Sequence, residues 1–173
     1  KTPVHNLRQS SQLLSCDIYL KREDFQPIHS FKLRGAYNKL LKISKDSSIN
    51  GIIAASAGNH AQGVAFSSSQ LNMDATIVMP ETTPEIKVDS VKSYGANVVL
   101  HGDSYDEAYD EAVKIAKEKG LEFIHPYDDM DVIAGQGTIA KELLGEQSNL
   151  DYVFIPVGGG GLLAGMAVYL KVI

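Results

Sequence analysis

Hydrophobic and polar positions follow two alternating periods along this chain. Short apolar runs, typical of buried strands, are separated by segments in which apolar residues recur every three or four positions, as in helices. This alternation predicts an α/β fold with open, mainly parallel sheets and helices on both faces. The strand candidates are DIYLKRE, GIIAAS, ATIVMP, NVVLHG, EFIHPY and YVFIPVG.

Two helices are predicted in enough detail to be tested at their ends. One begins behind Ser30, a suitable N-cap residue, so that Lys32 lies in its first turn. The other runs from about residue 105 to 119 behind a capping box formed by Ser104 and Glu107. The apolar positions of the first helix are Leu33, Ala36, Tyr37, Leu40 and Leu41.

Composition excludes several classes of protein. The 173 residues are 44% hydrophobic, enough for one substantial core. A net charge of -5 provides no basic surface, so we expect no nucleic-acid partner. Cys16 is the single cysteine, which excludes an internal disulfide and fits a reducing compartment, the cytoplasm or an organelle matrix. No apolar run reaches the roughly 18 residues of a membrane span, so we expect no membrane partner. The histidines lack the spacing of metal ligands, so we expect no metal site.

Four consecutive glycines follow the last strand candidate and precede a helical pattern, in VGGGGLLAG (157–165). Glycine backbone N–H groups can converge at a helix N-terminus and hold a phosphate without a lysine. The spacing fits neither the dinucleotide fingerprint nor the Walker pattern, because Leu162, Leu163 and Met166 stand where those motifs need other residues. A tight strand-to-helix turn is the alternative interpretation.

A second loop of the same kind is ASAGNHAQG (55–63). Ser56, Asn59, His60 and Gln62 supply hydroxyl and amide donors beside a helix N-terminus, which suits a carboxylate. Read alone, it is equally compatible with an ordinary capped turn. Because ligands collect at the carboxyl ends of parallel strands, the two loops together predict a ligand with a phosphate and a carboxylate.

Lys32 is the candidate nucleophile. It stands between Phe31 and Leu33 at a helix start, with Arg34 nearby. Apolar neighbours, a second cation and the helix dipole should each lower its pKa, and a neutral amine attacks aldehydes. An ordinary solvated lysine is the alternative.

These three features match the needs of a pyridoxal-phosphate enzyme: an amine, a phosphate site and a carboxylate site. The chain resembles the serine/threonine dehydratase family of tryptophan-synthase-β-like (fold type II) enzymes, and within it the biosynthetic threonine deaminase branch. The resemblance covers essentially the whole chain. It is carried by KRED, QPIHSFKLRGAY, ASAGNHAQGVAFSS, IVMP, IKVDSV, VVLHG, VIAGQGTIAKELL and FIPVGGGGLLAG.

The resemblance implies a two-lobed architecture and a role for each motif. Residues 1–50 and 129–173 would belong to the large cofactor-binding lobe, and residues 51–128 would form the small lobe. Lys32 would be the Schiff-base lysine and would move the substrate α-proton, while Asn59 would bind the pyridoxal 3'-oxygen. The phosphate would be bound by Gly158, Gly159, Gly160, Gly161 and Leu162. The substrate would be held by Ser56, Ala57, Gly58, Asn59 and His60.

The implied cofactor is pyridoxal 5'-phosphate, and the implied reaction is β-elimination of water from L-threonine, and also L-serine, giving 2-oxobutanoate or pyruvate and ammonia. In the family this step commits carbon to isoleucine, and the full-length enzymes are homo-oligomers, dimers or tetramers. A catabolic dehydratase and a serine racemase are alternatives, although racemases carry a second hydroxyl where this chain has Ala57. A non-catalytic phosphometabolite-binding module and a regulatory pseudoenzyme are alternatives from other classes.

Two features of the family are absent from this sequence. Members carry a serine or cysteine beside the pyridine nitrogen, from a segment after the glycines, and biosynthetic members add a regulatory region. We therefore expect the chain to be an N-terminal fragment of the catalytic domain, with an incomplete large lobe and a metal-free site. On its own it should be poorly stable and inactive.

Overall fold

The computed structural model describes residues 1–172 and alternates strands with helices over most of that length. The strands are β1 (Val4–Asn6), β2 (Tyr19–Lys21), β3 (Ile52–Ala55), β4 (Ala75–Met79), β5 (Asn97–Leu100) and β6 (Glu122–Phe123). The helices are α1 (Arg8–Leu14), α2 (Lys32–Ile43), α3 (Asn59–Gln70), α4 (Glu85–Ser93), α5 (Tyr105–Lys119), α6 (Met130–Glu146) and α7 (Gly161–Val172). A short 3-10 helix covers Glu23–Phe25.

The main sheet is parallel, in the order β5-β4-β3-β6. Ile52 pairs with Ala75 on one side and with Glu122 on the other. The predicted strand DIYLKRE forms as β2 but pairs antiparallel with β1 in a separate two-stranded sheet. The predicted fold class is therefore confirmed, with one strand placed outside the main sheet.

Alternating side chains of the main sheet are buried on both faces. Ile52 and Ala54 of β3 pack on one face against α2, α3 and α4, whereas Ile53 and Ala55 pack on the other against α5. Since the central strands β3 and β4 are covered on both sides, their sequences are nearly continuous apolar runs, as expected for a parallel sheet.

The predicted strand YVFIPVG does not form. Residues 152–157 are irregular, and no strand of the described chain pairs with them. Val153 and Ile155 pack against α6 and α7, while Tyr152 and Phe154 are exposed. A strand requires a neighbouring backbone for its hydrogen bonds, and the described strands are paired elsewhere.

Of the two helices predicted in detail, one agrees with the structure at both ends and the other differs at its N-cap. Helix α5 has the predicted bounds and the predicted capping box of Ser104 and Glu107. Helix α2 begins at Lys32 as expected, but its N-cap is Phe31 and not Ser30. Phe31 has helical backbone angles, so the helical conformation already begins one residue before Lys32. The Ser30 hydroxyl still accepts a hydrogen bond from the Lys32 N–H, at 3.3 Å.

Among residues 1–172, no helix combines the length and the apolar character required to cross a bilayer.

Candidate active site

One cavity of about 100 Å³ brings the predicted amine and the predicted phosphate cradle together. Lys32 lines it from the first residue of α2, and the loop after β6 and helix α6 complete its wall. The glycines and the following leucine, residues 158–162, are called the glycine segment below. The lining residues are Phe31, Lys32, Pro126, Tyr127, Gln136, Pro156 and residues 158–162.

The Lys32 amine is half-buried and bound by a neutral group. Its Nζ donates to the carbonyl of Pro126 at 2.7 Å and lies 5.7 Å from the centre of the Phe31 ring. No carboxylate of the described residues forms an ion pair with it. Burial without a counter-ion disfavours the ammonium and lowers the Lys32 pKa.

Arg34 does not contribute to that lowered pKa, so this part of the sequence prediction is wrong. Its guanidinium is bound by Glu23 at 2.8 Å and by Glu142 at 2.7 Å. The two carboxylates balance its charge, and burial alone accounts for the state of Lys32. The same ion pairs join α2 to α6 and to the 3-10 helix, which fixes the start of α2.

The glycine segment has the backbone geometry of an anion cradle. Gly160 has a φ of 86°, a left-handed conformation that favours glycine. A side chain at Gly159 would collide with the Tyr127 ring, and one at Gly161 would lie 2.7 Å from the Tyr127 carbonyl oxygen. The first hydrogen bond of α7 runs from the Ala164 N–H to the Gly160 carbonyl, at 2.9 Å. The N–H groups before it have no acceptor among the described residues and lie at a helix N-terminus, where an anion is favoured.

The Ser56–His60 loop follows β3 and opens α3. The Ser56 hydroxyl accepts from the Gly58 N–H at 3.2 Å. Within residues 1–172, the N–H groups of Ala57, Asn59 and His60 meet no acceptor. They are therefore available to a ligand, as the carboxylate hypothesis requires.

The position of this loop beside Lys32 follows from one close helix contact. A side chain at Gly63 would lie 3.3 Å from the Lys32 carbonyl oxygen, so α3 and the start of α2 touch there. Asn59 precedes Gly63 by one helical turn and shares its face. Asn59 is exposed, and the loop lies beside the cavity without lining it.

The His60 side chain has a structural partner. It is 4% exposed, and its Nε2 donates to the Ile124 carbonyl at 2.9 Å. Burial lowers the His60 pKa to about 4, so the imidazole is neutral at physiological pH. His60 can therefore serve a substrate through its backbone N–H, while its side chain ties α3 to the strand end of β6.

Sequence reasoning missed Pro126, Tyr127 and Gln136, which all line the cavity. Pro126 contributes its carbonyl, and Tyr127 contacts the glycine segment through its ring and its backbone; no sequence motif marks either residue. Gln136 had a signal, because a polar residue between two glycines in an apolar helical pattern is unusual. No group of three or more potential metal ligands lies together among the described residues.

Comparison with known proteins identifies the family. A family model described as pyridoxal-phosphate dependent enzyme matches residues 1–172. The chain belongs to this family. Membership confirms the predicted family, fold class and cofactor, pyridoxal 5'-phosphate.

The named relatives of this pyridoxal-phosphate dependent enzyme are much longer than the chain itself. It is 54% identical over 170 residues to the biosynthetic L-threonine dehydratase IlvA of Haemophilus influenzae, covering 98% of this chain and 33% of that protein. It is 54% identical over 172 residues to the chloroplastic biosynthetic threonine dehydratase of Arabidopsis thaliana, covering 99% and 29%. The chain thus spans about a third of these relatives.

Solved structures agree on the fold. The processed form of threonine deaminase isoform 2 from Solanum lycopersicum superposes with a TM-score of 0.96 at 49% identity, covering 99% of this chain and 47% of that one. Maize serine racemase superposes with a TM-score of 0.94 at 32% identity, covering 99% and 52%.

The residues present fit pyridoxal phosphate. Free backbone N–H groups at the start of α7 suit its phosphate, and side chains at Gly159 or Gly161 would push Tyr127 out of place. The half-buried Lys32 amine, which shares that cavity, suits its aldehyde.

Proposed function

We propose that the protein containing this chain catalyses pyridoxal-phosphate-dependent β-elimination from L-threonine, and also from L-serine, giving 2-oxobutanoate or pyruvate and ammonia. The first product is the one that feeds isoleucine synthesis. The observation that carries the proposal is the Lys32 amine, which is half-buried without a counter-ion and opens onto the glycine segment. Relatives above 50% identity that are named biosynthetic threonine dehydratases support the substrate.

Lys32 is the residue proposed to bind the cofactor and to move the substrate α-proton. When bound, pyridoxal phosphate supplies the electron sink that makes that proton acidic. Burial lowers the Lys32 pKa and so favours the neutral amine, the form that can accept a proton, and the Pro126 carbonyl orients Nζ at 2.7 Å.

The other proposed contacts divide between the two loops. The glycine segment would hold the phosphate, and Asn59 would bind the 3'-oxygen from the first turn of α3. The Ser56–His60 loop would hold the substrate carboxylate through its backbone N–H groups and the Ser56 hydroxyl. Ala57, at the position where the racemases of the family carry a second hydroxyl, has no group that could act as an acid or base, which favours elimination over racemisation.

The proposal also assigns the chain to two lobes. Residues 51–128 enclose the parallel sheet with α3, α4 and α5 and form the proposed small lobe. Residues 1–50 and 129–173 contribute α2, α6 and α7 to the proposed large lobe. Homo-oligomerisation and a location in the cytoplasm or an organelle matrix stay predictions.

Borohydride reduction of the full-length protein with pyridoxal phosphate tests the assignment of Lys32. Mass spectrometry should find the reduced cofactor on the peptide containing Lys32, and Lys32→Ala should abolish both labelling and threonine turnover. Lys42→Ala, at an exposed lysine of the same helix, is the matched control and should leave both intact. Cofactor trapped on a different lysine would refute the assignment.

The same variants separate the enzyme from a phosphometabolite-binding module. A binding module has no use for an amine at position 32, so Lys32→Ala would leave its phosphate-ligand affinity unchanged. An enzyme loses covalent attachment, and its cofactor affinity falls. Incubation of the full-length protein with L-serine, followed by chiral analysis, distinguishes a racemase, which would accumulate D-serine.

A further inference from the structure

The turn between β6 and α6 contacts both parts of the candidate site. Its Pro126 carbonyl accepts a hydrogen bond from the Lys32 amine, at 2.7 Å. The next residue, Tyr127, lies against the glycine segment. A side chain at Gly159 would collide with the Tyr127 ring, and one at Gly161 would lie 2.7 Å from the Tyr127 carbonyl oxygen. Two successive residues of one turn are therefore in contact with the amine and with the glycine segment.

This turn is not held by bonds between backbone groups. Within the described chain, residues 125–128 form no backbone–backbone hydrogen bond. The last such bond before the turn runs from the Ile124 N–H to the Ile53 carbonyl of β3, at 2.8 Å, and α6 begins only at Met130. Backbone groups that lack partners in a sheet or a helix are commonly bound by side chains. The shape of the turn therefore depends on side-chain contacts.

The half-buried His125 imidazole supplies these contacts. Its Nδ1 accepts from the Asp128 N–H at 2.8 Å, and the Tyr127 N–H lies 3.4 Å from the same nitrogen. A backbone N–H can only donate, so Nδ1 carries a lone pair and the neutral ring has its proton on Nε2. The His125 ring also meets the Tyr127 ring edge-on, with the ring centres 4.7 Å apart. One side chain therefore contacts both the backbone and the ring of Tyr127.

We propose that His125 is a positioning residue: its Nδ1 holds the turn at residues 125–128 and thereby places the Lys32 amine and the glycine segment relative to each other for one cofactor molecule. This inference rests on the proposed function. His125 acts through the Pro126 carbonyl and through Tyr127, without contact to the cofactor or the substrate. Because one acceptor serves both parts of the site, its loss should weaken ligand binding at both.

Two probes that each engage one part of the site test the proposal in the full-length protein, freed of cofactor. Pyridoxal, which lacks the phosphate, reports on the Lys32 amine through borohydride trapping at increasing concentrations. Inorganic phosphate reports on the glycine segment through calorimetric titration. His125→Leu and His125→Asn both remove the ring, but only the asparagine amide can accept from N–H groups two and three residues further along the chain. The difference between the two variants therefore isolates the acceptor.

We expect His125→Leu to bind each probe about 3- to 10-fold more weakly than His125→Asn does, the range for the loss of one ordinary hydrogen bond. His101→Leu is the matched control, because His101 is an exposed histidine that comes after β5 as His125 comes after β6. It should bind both probes as wild type does. Equal affinities of the two His125 variants would show that the ring only fills space. That result, or a difference confined to one probe, would overturn the proposal.

A measurement on wild type holds even if His125→Leu misfolds. In protein labelled with ¹⁵N at histidine, the His125 signals are assigned by their loss in His125→Asn. At pH 8, above the ordinary titration range of an imidazole, they should show Nδ1 without a proton. A proton on Nδ1 would overturn the inference alone. If wild type binds pyridoxal phosphate without attachment to Lys32, the proposed function is overturned instead.

Discussion

At the residue scale, burial drives both Lys32 and His60 towards their neutral forms. Lys32 retains contact with a cavity, and its lowered pKa would serve the cofactor-binding role proposed for it. His60 is enclosed, and its hydrogen bond to Ile124 gives it a purely structural use. The same physical cause therefore has different consequences, which pH-dependent stability can separate.

For Lys32, we expect the free energy of unfolding of Lys32→Met to rise less between pH 7 and pH 10 than that of wild type. In wild type the folded pKa lies below 10.5 and the unfolded chain binds more protons, so the free energy of unfolding rises with pH between the two values. The penalty for burying the ammonium is complete below that window and disappears above it. Methionine has no such penalty. Urea unfolding of the cofactor-free protein at pH 7 and pH 10 measures the difference.

Lys42→Met, at an exposed position, should run parallel to wild type in that experiment. If the free energy of unfolding of Lys32→Met also runs parallel to that of wild type, burial of the Lys32 ammonium does not cost stability.

For His60, we expect wild type to lose stability as the pH falls from 6.5 towards 4. The folded pKa of about 4 lies below the unfolded 6.5, so the unfolded chain takes up the proton first, and stability is complete above 6.5. One proton changes the free energy of unfolding by at most about 1.4 kcal/mol per pH unit. His60→Gln, whose amide can donate to Ile124, should lack this component. Subtracting the two urea-unfolding profiles cancels the carboxylates common to both, and a constant difference across the window would contradict the assignment.

At the element scale, glycines set how closely α6 approaches its neighbours. Gly135 meets the backbone of α2 and Gly137 meets the backbone of α7, and backbone cannot move aside as a flexible side chain does. Small residues at these crossings place the first residue of α2, Lys32, and the first residue of α7, Gly161, around one cavity. The geometry of the candidate site is thus set by helix packing.

Gly135→Ala and Gly137→Ala should each destabilise the fold by about 1–3 kcal/mol, the usual range for overpacking. Gly145→Ala is the matched control on the same helix, because a side chain there meets nothing within 4 Å. It should be neutral or stabilising by up to about 1 kcal/mol, from helix propensity. Thermal and urea unfolding give the three values. Equal stability of Gly135→Ala and Gly145→Ala would show that the crossing can widen freely.

At the scale of the whole molecule, the sequence predicts features that depend on local pattern. Helix α5, its capping box and the parallel strands β3 to β5 follow from neighbouring residues. The contact of Lys32 with Pro126 and the burial of the Gln136 Oε1 without a hydrogen-bond partner depend on how distant segments pack, which periodicity does not encode. The strand predicted at residues 152–157 does not form for a similar reason. An alternating apolar pattern favours a strand conformation but does not specify which strand it pairs with.

That unpaired segment predicts how the 173-residue chain behaves alone. Tyr152 is 82% exposed and Phe154 is 94% exposed, beside backbone that pairs with no described strand. Exposed apolar side chains beside unpaired backbone associate with other copies through hydrogen bonds and side-chain contacts. The chain should therefore form concentration-dependent oligomers, visible by light scattering after size exclusion. Phe154→Lys should reduce them, since charge on an unpaired edge opposes pairing.

Leu13→Lys separates this edge effect from a general gain in charge. Leu13 is 83% exposed on α1, whose backbone bonds are satisfied within the helix, so its replacement should change association little. Equal effects of the two substitutions would mean that net charge, and not the segment, controls association. A larger effect of Phe154→Lys would locate the contact at residues 152–157, where Val153 and Ile155 pack against α6 and α7 and leave Tyr152 and Phe154 exposed.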